Sequence, residues 1–430
     1  MHLVYGPLDV VRLPKQVPSS RGAGLDALKV SDTIGSSCTV GAARPSSDDP
    51  CEFCRSEHAT RRPTSRGTIT SVAERSTPRS KVTGSQSGID IAAQLIAYLR
   101  SRLGEPALTF AEPPTPILGG FDTSIYAFEL KNAEEPHVGP LVARVFRSPA
   151  EAERARYEAA IQNAVAALGY PAPEVLLVEP SSDVLGAPFN VMRRMPGRAM
   201  LHSLVGIRMG SMATLLGHEH ARLHDLDAEA FRRLLGDAVD PQSIATFDHV
   251  RPRYEEVIST ASLDGLRPAL RWLEEHRPAP ASVNAICHGD FHPLNVLVAG
   301  SEVTGVVDWG WVTIAQPELD VGATVALLTH GPLNVLRPAR PLVRVLRRFT
   351  VRRYLRAYAS RRHLDLDEVR YFEALRLFDF ACEAGEQMQA EAGVIESDMQ
   401  SPFFAPSVRD GVIKRLRDLT GTDAALPTTS

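Results

Sequence analysis

Apolar residues fall at helical spacing at Ile91, Leu95, Tyr98, Leu99 and Leu103, which predicts a helix over residues 89–103. Residues 1 to about 87 carry no such period and are rich in Ser, Pro, Gly, Thr and Arg, so residues 1–88 read as a disordered tail. After the helix the period changes. Ile117-Leu118, a turn containing Gly119 and Gly120, and Ser124 to Leu130 read as strand, turn, strand. Leu141 to Arg147 is a further strand, Pro149 to Leu168 a helix, and Glu174 to Val178 a strand led in by Pro171-Ala172-Pro173. Pro188 to Met195 closes this region as a last strand that stops at Pro196-Gly197. From Met212 onward the pattern is mainly helical. Strands first and helices later make the fold class α+β, with a strand-rich part over 89–195 and a helical part over 196–425.

One short stretch interrupts the helical part. Cys287-His288-Gly289-Asp290-Phe291-His292-Pro293-Leu294-Asn295 precedes two β-branched runs, Val296 to Val298 and Val303 to Val307, joined by Ala299-Gly300-Ser301-Glu302, and Asp308-Trp309-Gly310 follows. If Val298 pairs with Val303, Pro293 lies opposite Asp308, and Asn295 falls two residues away on the same side, with Asp290 on the loop before. An amide and a carboxylate at the mouth of a hairpin suit a hard cation such as Mg²⁺. A third, metal-free carboxylate can accept a proton from a hydroxyl. These are the parts that phosphoryl transfer needs. Two other readings exist: a buried polar turn, or a zinc set of Cys287, His288, Asp290 and His292, against which Gly289 and Pro293 argue by making the stretch a loop.

His288-Gly289-Asp290-x4-Asn295 followed by Asp308-Trp309-Gly310 resembles the catalytic loop and metal-binding triplet of the aminoglycoside phosphotransferase and choline kinase-like family, relatives of protein kinases. The resemblance implies a bilobal protein kinase-like fold, with a small antiparallel β lobe and a larger, mostly helical lobe. It implies that Asp290 takes the proton of an acceptor hydroxyl and that Asn295 and Asp308 bind Mg²⁺. The turn with Gly119, Gly120 and Ser124 would lie against the phosphates of ATP, or GTP. Arg144 stands where the kinases place a phosphate-holding lysine. No lysine occurs between Lys131 and Lys414 to replace it. Arg144 could equally be a strand-end arginine facing solvent. Its implied partner is Glu158, with Glu151 and Glu153 as competitors. The backbone of Arg193 to Met195 would meet the adenine edge, unless this is a plain edge strand. In the same way His220 and His224 would pack beneath the catalytic loop rather than chelate a metal, and Asp320 would brace that loop from behind. In the family the C-terminal helices line the acceptor site. Asp379, Glu383 and Glu386, close to one side of a helix, then favour a cationic acceptor.

Composition narrows the rest. The chain has 430 residues, 44% hydrophobic and 23% charged, with net charge −4, so nothing favours nucleic acid as a partner. No apolar run is long enough to span a membrane, and no basic start leads into an apolar core, which together predict a cytoplasmic protein with no stable membrane association. Five cysteines in so long a chain do not make a disulfide framework. Cys38, Cys51, Cys54 and His58 have the residue types of a zinc knuckle, set in what otherwise reads as a solvated tail. Residues 337–362 hold ten arginines and no acid and form an amphipathic pattern with a basic face. The expected protein is a monomeric or homodimeric kinase that moves the γ-phosphoryl group of ATP to a hydroxyl of a small molecule, an aminoglycoside-type antibiotic or similar. A metabolite kinase of the same build and a catalytically inactive nucleotide-binding regulatory module are the alternatives.

Overall fold

The computed structural model describes residues 90–117, 123–203, 209–236, 247–280, 284–332, 340–397 and 401–427. The proposed tail, its cysteines and the turn glycines Gly119 and Gly120 lie outside the described residues.

The chain enters through helix α1 (Ile91–Leu103), capped at its start by the Asp90 side chain, which accepts from the Ala93 N–H, and at its end by Gly104 in the left-handed region. Strands β1 (Thr109–Ile117), β2 (Ser124–Lys131) and β3 (Pro140–Val145) follow. Next come helix α2 (Ala152–Ala167), entered through a 3-10 turn at Pro149–Glu151, and strands β4 (Val175–Glu179) and β5 (Phe189–Arg193). All pairings are antiparallel, in the order β1-β2-β3-β5-β4. The strand predicted to begin at Ile117 starts eight residues earlier, through Pro113, Pro114 and Pro116. β1 is an edge strand with two irregular registers, the one place in a sheet that tolerates missing N–H donors.

The two faces of the sheet are covered by different helices, and this decides where Arg144 goes. Leu141, Ala143 and Val145 pack with Leu95 and Leu99 of α1. Val142, one residue out of phase, packs with Ala159 of α2. Arg144 shares the Val142 face by the two-residue period of a strand, so it faces α2 and not solvent.

The remainder is mostly helical. A two-residue strand β6 (Arg198–Ala199) precedes α3 (Met209–His224), α4 (Ala228–Leu235), α5 (Phe247–Thr260) and α6 (Arg267–Glu275). Strands β7 (Ala285–Cys287), β8 (Val296–Ala299), β9 (Glu302–Val306) and β10 (Thr313–Ala315) build two small sheets, β10-β7 and β6-β8-β9. Helices α7 (Pro317–His330), α8 (Arg340–Ala359), α9 (Leu366–Glu391) and α10 (Pro406–Thr420) complete the fold. One apolar cluster joins α3 and α8 to the small strands through Trp309, Phe291, Tyr354 and Tyr358. A second joins α5, α6, α9 and α10. The result is the α+β, bilobal, kinase-like architecture. Among the described residues no helix is long and apolar enough to cross a membrane.

Candidate active site

The loop from His288 to Asn295 hangs between β7 and β8, and Asp320, one turn into α7, fixes its start. The Asp320 carboxylate accepts the backbone N–H groups of His288 and Gly289, the latter at 3.0 Å. From the far side it accepts from His220 Nε2 at 3.0 Å and His224 Nε2 at 3.2 Å. The histidine Nδ1 atoms in turn face the hydroxyls of Tyr354 and Tyr358 at 2.7 Å. Burial alone would push the Asp320 carboxyl up, but His220 and His224 hold it well below the usual carboxylate range. These three side chains are the one group among the described residues whose spacing would suit a metal. Every ring nitrogen there already has a hydrogen-bond partner, which makes the cluster a brace.

Gly289 is at φ +78°, and a Cβ there would meet the Trp311 carbonyl oxygen at 2.5 Å, so the turn needs glycine. His288 ties this turn to the next motif: its Nε2 donates to the Val307 carbonyl at 3.1 Å, and its Nδ1 accepts from the Asp290 N–H at 3.3 Å. That pattern is the neutral ring, and burial keeps the His288 pKa down.

Asp290 is buried, yet its two oxygens differ. Oδ2 accepts from Asn295 Nδ2 at 3.0 Å and faces His292 Nε2 at 3.2 Å. Oδ1 accepts no hydrogen bond among the described residues and has Arg376 Nη2 of α9 at 3.7 Å. Burial works against the ionised form, and His292, then Arg376, outweigh it and hold the Asp290 pKa far below its ordinary value. The Cys287 thiol contacts the carbonyls of Ala285 and Ala315, away from this carboxylate, so the four-residue zinc set does not assemble.

The hairpin register departs from the sequence reading. Val298 pairs with Val303 as expected, but Leu297 pairs with Gly305 and Val296 with Val306. Thr304 is the extra residue of a bulge, and its hydroxyl donates to the Pro196 carbonyl. Asn295 therefore stands opposite Val307, whose N–H donates to the Asn295 carbonyl at 2.9 Å, and Pro293 is not opposite Asp308. Asp308 itself adopts φ +70°, a left-handed turn that ends the strand and re-aims its side chain. Asn295 gives its amide nitrogen to Asp290, so Oδ1 is the atom it could offer a cation. The Asp308 carboxylate is about two-fifths exposed, with Arg144 Nη2 at 3.4 Å. Amide and carboxylate oxygens are the donors that a hard divalent cation takes.

Arg144 Nη1 lies 2.6 Å from Glu158 Oε2, and its Nε donates to the Thr123 hydroxyl at 3.2 Å. Of the competitors, Glu151 pairs with Arg154 and caps the helix start, and Glu153 pairs with Arg156. Asn190 on β5 donates to the Ala155 carbonyl, and the Tyr157 hydroxyl donates to the Val312 carbonyl, so α2 is pinned both to the sheet and to the segment after Asp308. Ser124 is exposed at the start of β2. At the end of β5 the N–H groups of Arg193 and Arg194 donate to the Glu174 and Pro140 carbonyls. The Arg193 side chain turns to Glu174 and Glu135. Met195 lies against Gly305, where a Cβ would come within 2.9 Å of the Met195 Cβ.

The acids expected to favour a cationic acceptor are mostly committed elsewhere. Asp379 is shared by Arg376 Nη1 at 3.1 Å and Arg253 Nη1 at 3.8 Å. Glu383 is buried, and burial followed by the charge of Asp379 pushes its carboxyl well above the usual range. Glu386 accepts from the Ser397 hydroxyl. Sequence reasoning missed Arg376, Arg253 and Thr123. The spacing Arg376-x2-Asp379-x3-Glu383 carried a signal, since residues three and four apart share a helix face.

Proteins similar to this chain carry phosphotransferase names and two others. An aminoglycoside phosphotransferase APH(4)-Ia mutant, solved with AMP-PNP and hygromycin B, is 14% identical, with TM-score 0.51 over 77% of this chain and 100% of its own; that likeness concerns the fold. A putative aminoglycoside phosphotransferase from Ralstonia eutropha is 20% identical, with TM-score 0.49 over 76% of this chain and 95% of its own. Acyl-CoA dehydrogenase family member 10 of Mus musculus is 27% identical over 51% of this chain and 21% of that protein. Family member 11 of Gallus gallus is 27% identical over 47% and 26%. The chain thus spans about a fifth to a quarter of the length of these curated relatives. The sequence pattern of the phosphotransferase enzyme family matches residues 114–372, more than half of the chain, and the protein belongs to that family.

Proposed function

We propose that this protein transfers the γ-phosphoryl group of ATP, or GTP, to a hydroxyl of a small molecule. The observation that carries the reading is the asymmetry of Asp290: one oxygen is held by Asn295 and His292, and the other accepts no hydrogen bond among the described residues. An acceptor hydroxyl donates to that second oxygen. As the hydroxyl oxygen forms its bond to the γ-phosphorus, the bond to the bridging oxygen of the departing diphosphate breaks and the proton passes to Asp290. A carboxylate held so firmly in its ionised form is a weak base. It orients the hydroxyl from the start and takes the proton late, after the forming bond has acidified it.

Arg144 holds nucleotide phosphates with its planar guanidinium, and Glu158 keeps it aimed. Asn295 Oδ1 and Asp308 would hold a divalent cation, which when bound neutralises charge on the phosphates. With the Arg193 and Arg194 N–H groups already donated, Met195 is the hinge residue left to meet the adenine edge. The nucleotide lobe lies over 89–195 and the acceptor lobe over 196–425.

An aminoglycoside-type antibiotic is one class of acceptor. A metabolite is the second, and Arg376 beside the base favours it. ADP release, measured with aminoglycosides, macrolides and amino alcohols each added to protein, ATP and Mg²⁺, tests the reaction. Acceptor-stimulated release with a phosphorylated product supports the proposal. Tight nucleotide binding with no turnover on any acceptor, hydroxy acids included, would make this a regulatory nucleotide-binding module instead.

A further inference from the structure

We infer that the acceptor carries an anionic group, a carboxylate or a phosphate, close to its reacting hydroxyl, and that Arg376 receives that group. The inference rests on the reading of Asp290 as the proton acceptor. A hydroxyl that donates to Asp290 Oδ1 sits about 2.7 Å from that oxygen. Arg376 Nη2 is 3.7 Å from the same oxygen. The reacting hydroxyl oxygen therefore lies within about 6.4 Å of that nitrogen, close enough for a group near the hydroxyl to reach the guanidinium.

The charges around that position oppose a polycation. Two guanidiniums flank Asp379, Arg376 Nη1 at 3.1 Å and Arg253 Nη1 at 3.8 Å. The next acid along α9, Glu383, is buried against Asp379 and accepts from the Ser401 hydroxyl at 3.3 Å. On the other flank of Asp290 stands His292, whose Nε2 lies 3.2 Å from Oδ2 and leaves Oδ1 as the side open to the acceptor. An ammonium brought to Asp290 Oδ1 would meet the Arg376 guanidinium beside it, and like charges at close range are costly. A carboxylate or phosphate meets the planar fork for which guanidinium is suited. Arg376 is also ordered in advance, with its guanidinium 5.0 Å from the Phe380 ring centroid, so less side-chain freedom is lost on binding. With both contacts at hydrogen-bond length, the acceptor hydroxyl and its anionic oxygen are separated by at most about 9 Å, a span that a short hydroxy acid or a hydroxylated phosphate monoester fits within.

The test compares matched acceptors on the full chain with ATP and Mg²⁺: glycerate and 3-hydroxybutyrate against their methyl esters, glycerol 3-phosphate against glycerol, and an aminoglycoside. We expect kcat/KM for an anionic acceptor at least tenfold above that of its uncharged partner. The carboxylate and phosphate arms show which anion is used. In Arg376→Gln the acceptor KM should rise at least tenfold and the acid-to-ester preference should vanish, with the KM for ATP unchanged; Arg376→Lys should restore part of the preference. The wild-type comparison stands even if a variant fails to fold. Equal turnover of acid and ester, or preference for the aminoglycoside, overturns this inference and leaves the phosphotransferase reading intact. So does an Arg376→Gln variant whose kcat falls equally on all acceptors with every KM unchanged, which would assign Arg376 to the transferred phosphoryl group. No stimulation by any acceptor in this or the earlier panel defeats both.

Discussion

Arg144 and Glu158 meet at 2.6 Å inside the sheet lobe, with the Glu158 side chain almost wholly enclosed. The pairing follows from parity: a strand residue in phase with Val142 must face α2, and α2 presents Glu158 to that face. Removing one member of a buried pair strands the other. Glu158→Ala should lower stability by about 3 kcal/mol, measured by denaturant unfolding, and should raise the KM for ATP several-fold. Gly310→Ala probes the same pair from the opposite side, because a Cβ there would sit 2.8 Å from Glu158 Oε1. We expect a weaker nucleotide affinity with a smaller loss of stability than in Glu158→Ala. Unchanged ATP kinetics in both variants would detach this pair from nucleotide binding.

Asp290 should be dispensable for nucleotide binding and essential for turnover. Asp290→Asn preserves shape and the contact with Asn295 and removes the proton acceptor, so kcat should fall by about 10²–10⁴-fold. The nucleotide Kd, read by calorimetry, should change by less than about twofold. Because His292 and Arg376, against the effect of burial, hold this carboxyl far below its ordinary pKa, acidification from pH 7 to 5 should produce no loss of kcat/KM attributable to its protonation. An acid limb near pH 5 that disappears in Asp290→Asn would contradict this.

The sequence and the structure agree best where a local rule decides. The helix at Ile91, the strand alternation around Arg144 and the turn at Gly300 needed only period and turn chemistry. Two features escaped for physical reasons. The prolines of β1 argue against a strand in general, and only the knowledge that β1 is an edge reverses the argument. The Thr304 bulge adds one residue that no alternation reveals, so the register through Asn295 shifts by one. In the candidate site, the contact between Asp290 and Asn295 was legible from spacing. The approach of Arg376 from α9 was not, since nothing local links positions 290 and 376 before the helices pack.

Gly289 tests whether the loop must be shaped as it is. Its φ is +78°, and a side chain there would begin 2.5 Å from the Trp311 carbonyl oxygen, which leaves no room for one. Gly289→Ala should cost about 1–3 kcal/mol for the backbone conformation alone. Turnover should fall more than stability does, because the displaced N–H is one of the two that Asp320 holds. A variant with normal kcat and a normal melting temperature would show that the loop relaxes without loss.

Two buried neutral histidines, His224 and His330, make stability depend on pH. Burial, with a contribution from His220, pushes His224 down to about 4, although Asp320 pulls the other way. Burial and then Arg347 and Arg415 bring His330 to about 4 as well. Both rings have an ordinary pKa of 6.5 when the chain is unfolded. Between pH 6.5 and 4 the unfolded state binds more protons than the folded state, so stability is full above this window and falls as the pH drops through it. Each ring contributes a slope of about 1.4 kcal/mol per pH unit there. Asp320, with a folded pKa held well below 3.8, loses its contribution only at still lower pH and does not offset the trend. His292 and Glu383, whose folded pKa values are raised, contribute the opposite sign, so the contribution of these rings is read from the difference in urea unfolding between wild type and variant at pH 7.5, 6.0 and 5.0. His330→Gln, which removes one titrating ring away from the Asp320 brace, should make the slope shallower by about one proton's worth. An unchanged pH slope in His330→Gln would mean that this ring is already charged, or already solvated, in the folded protein.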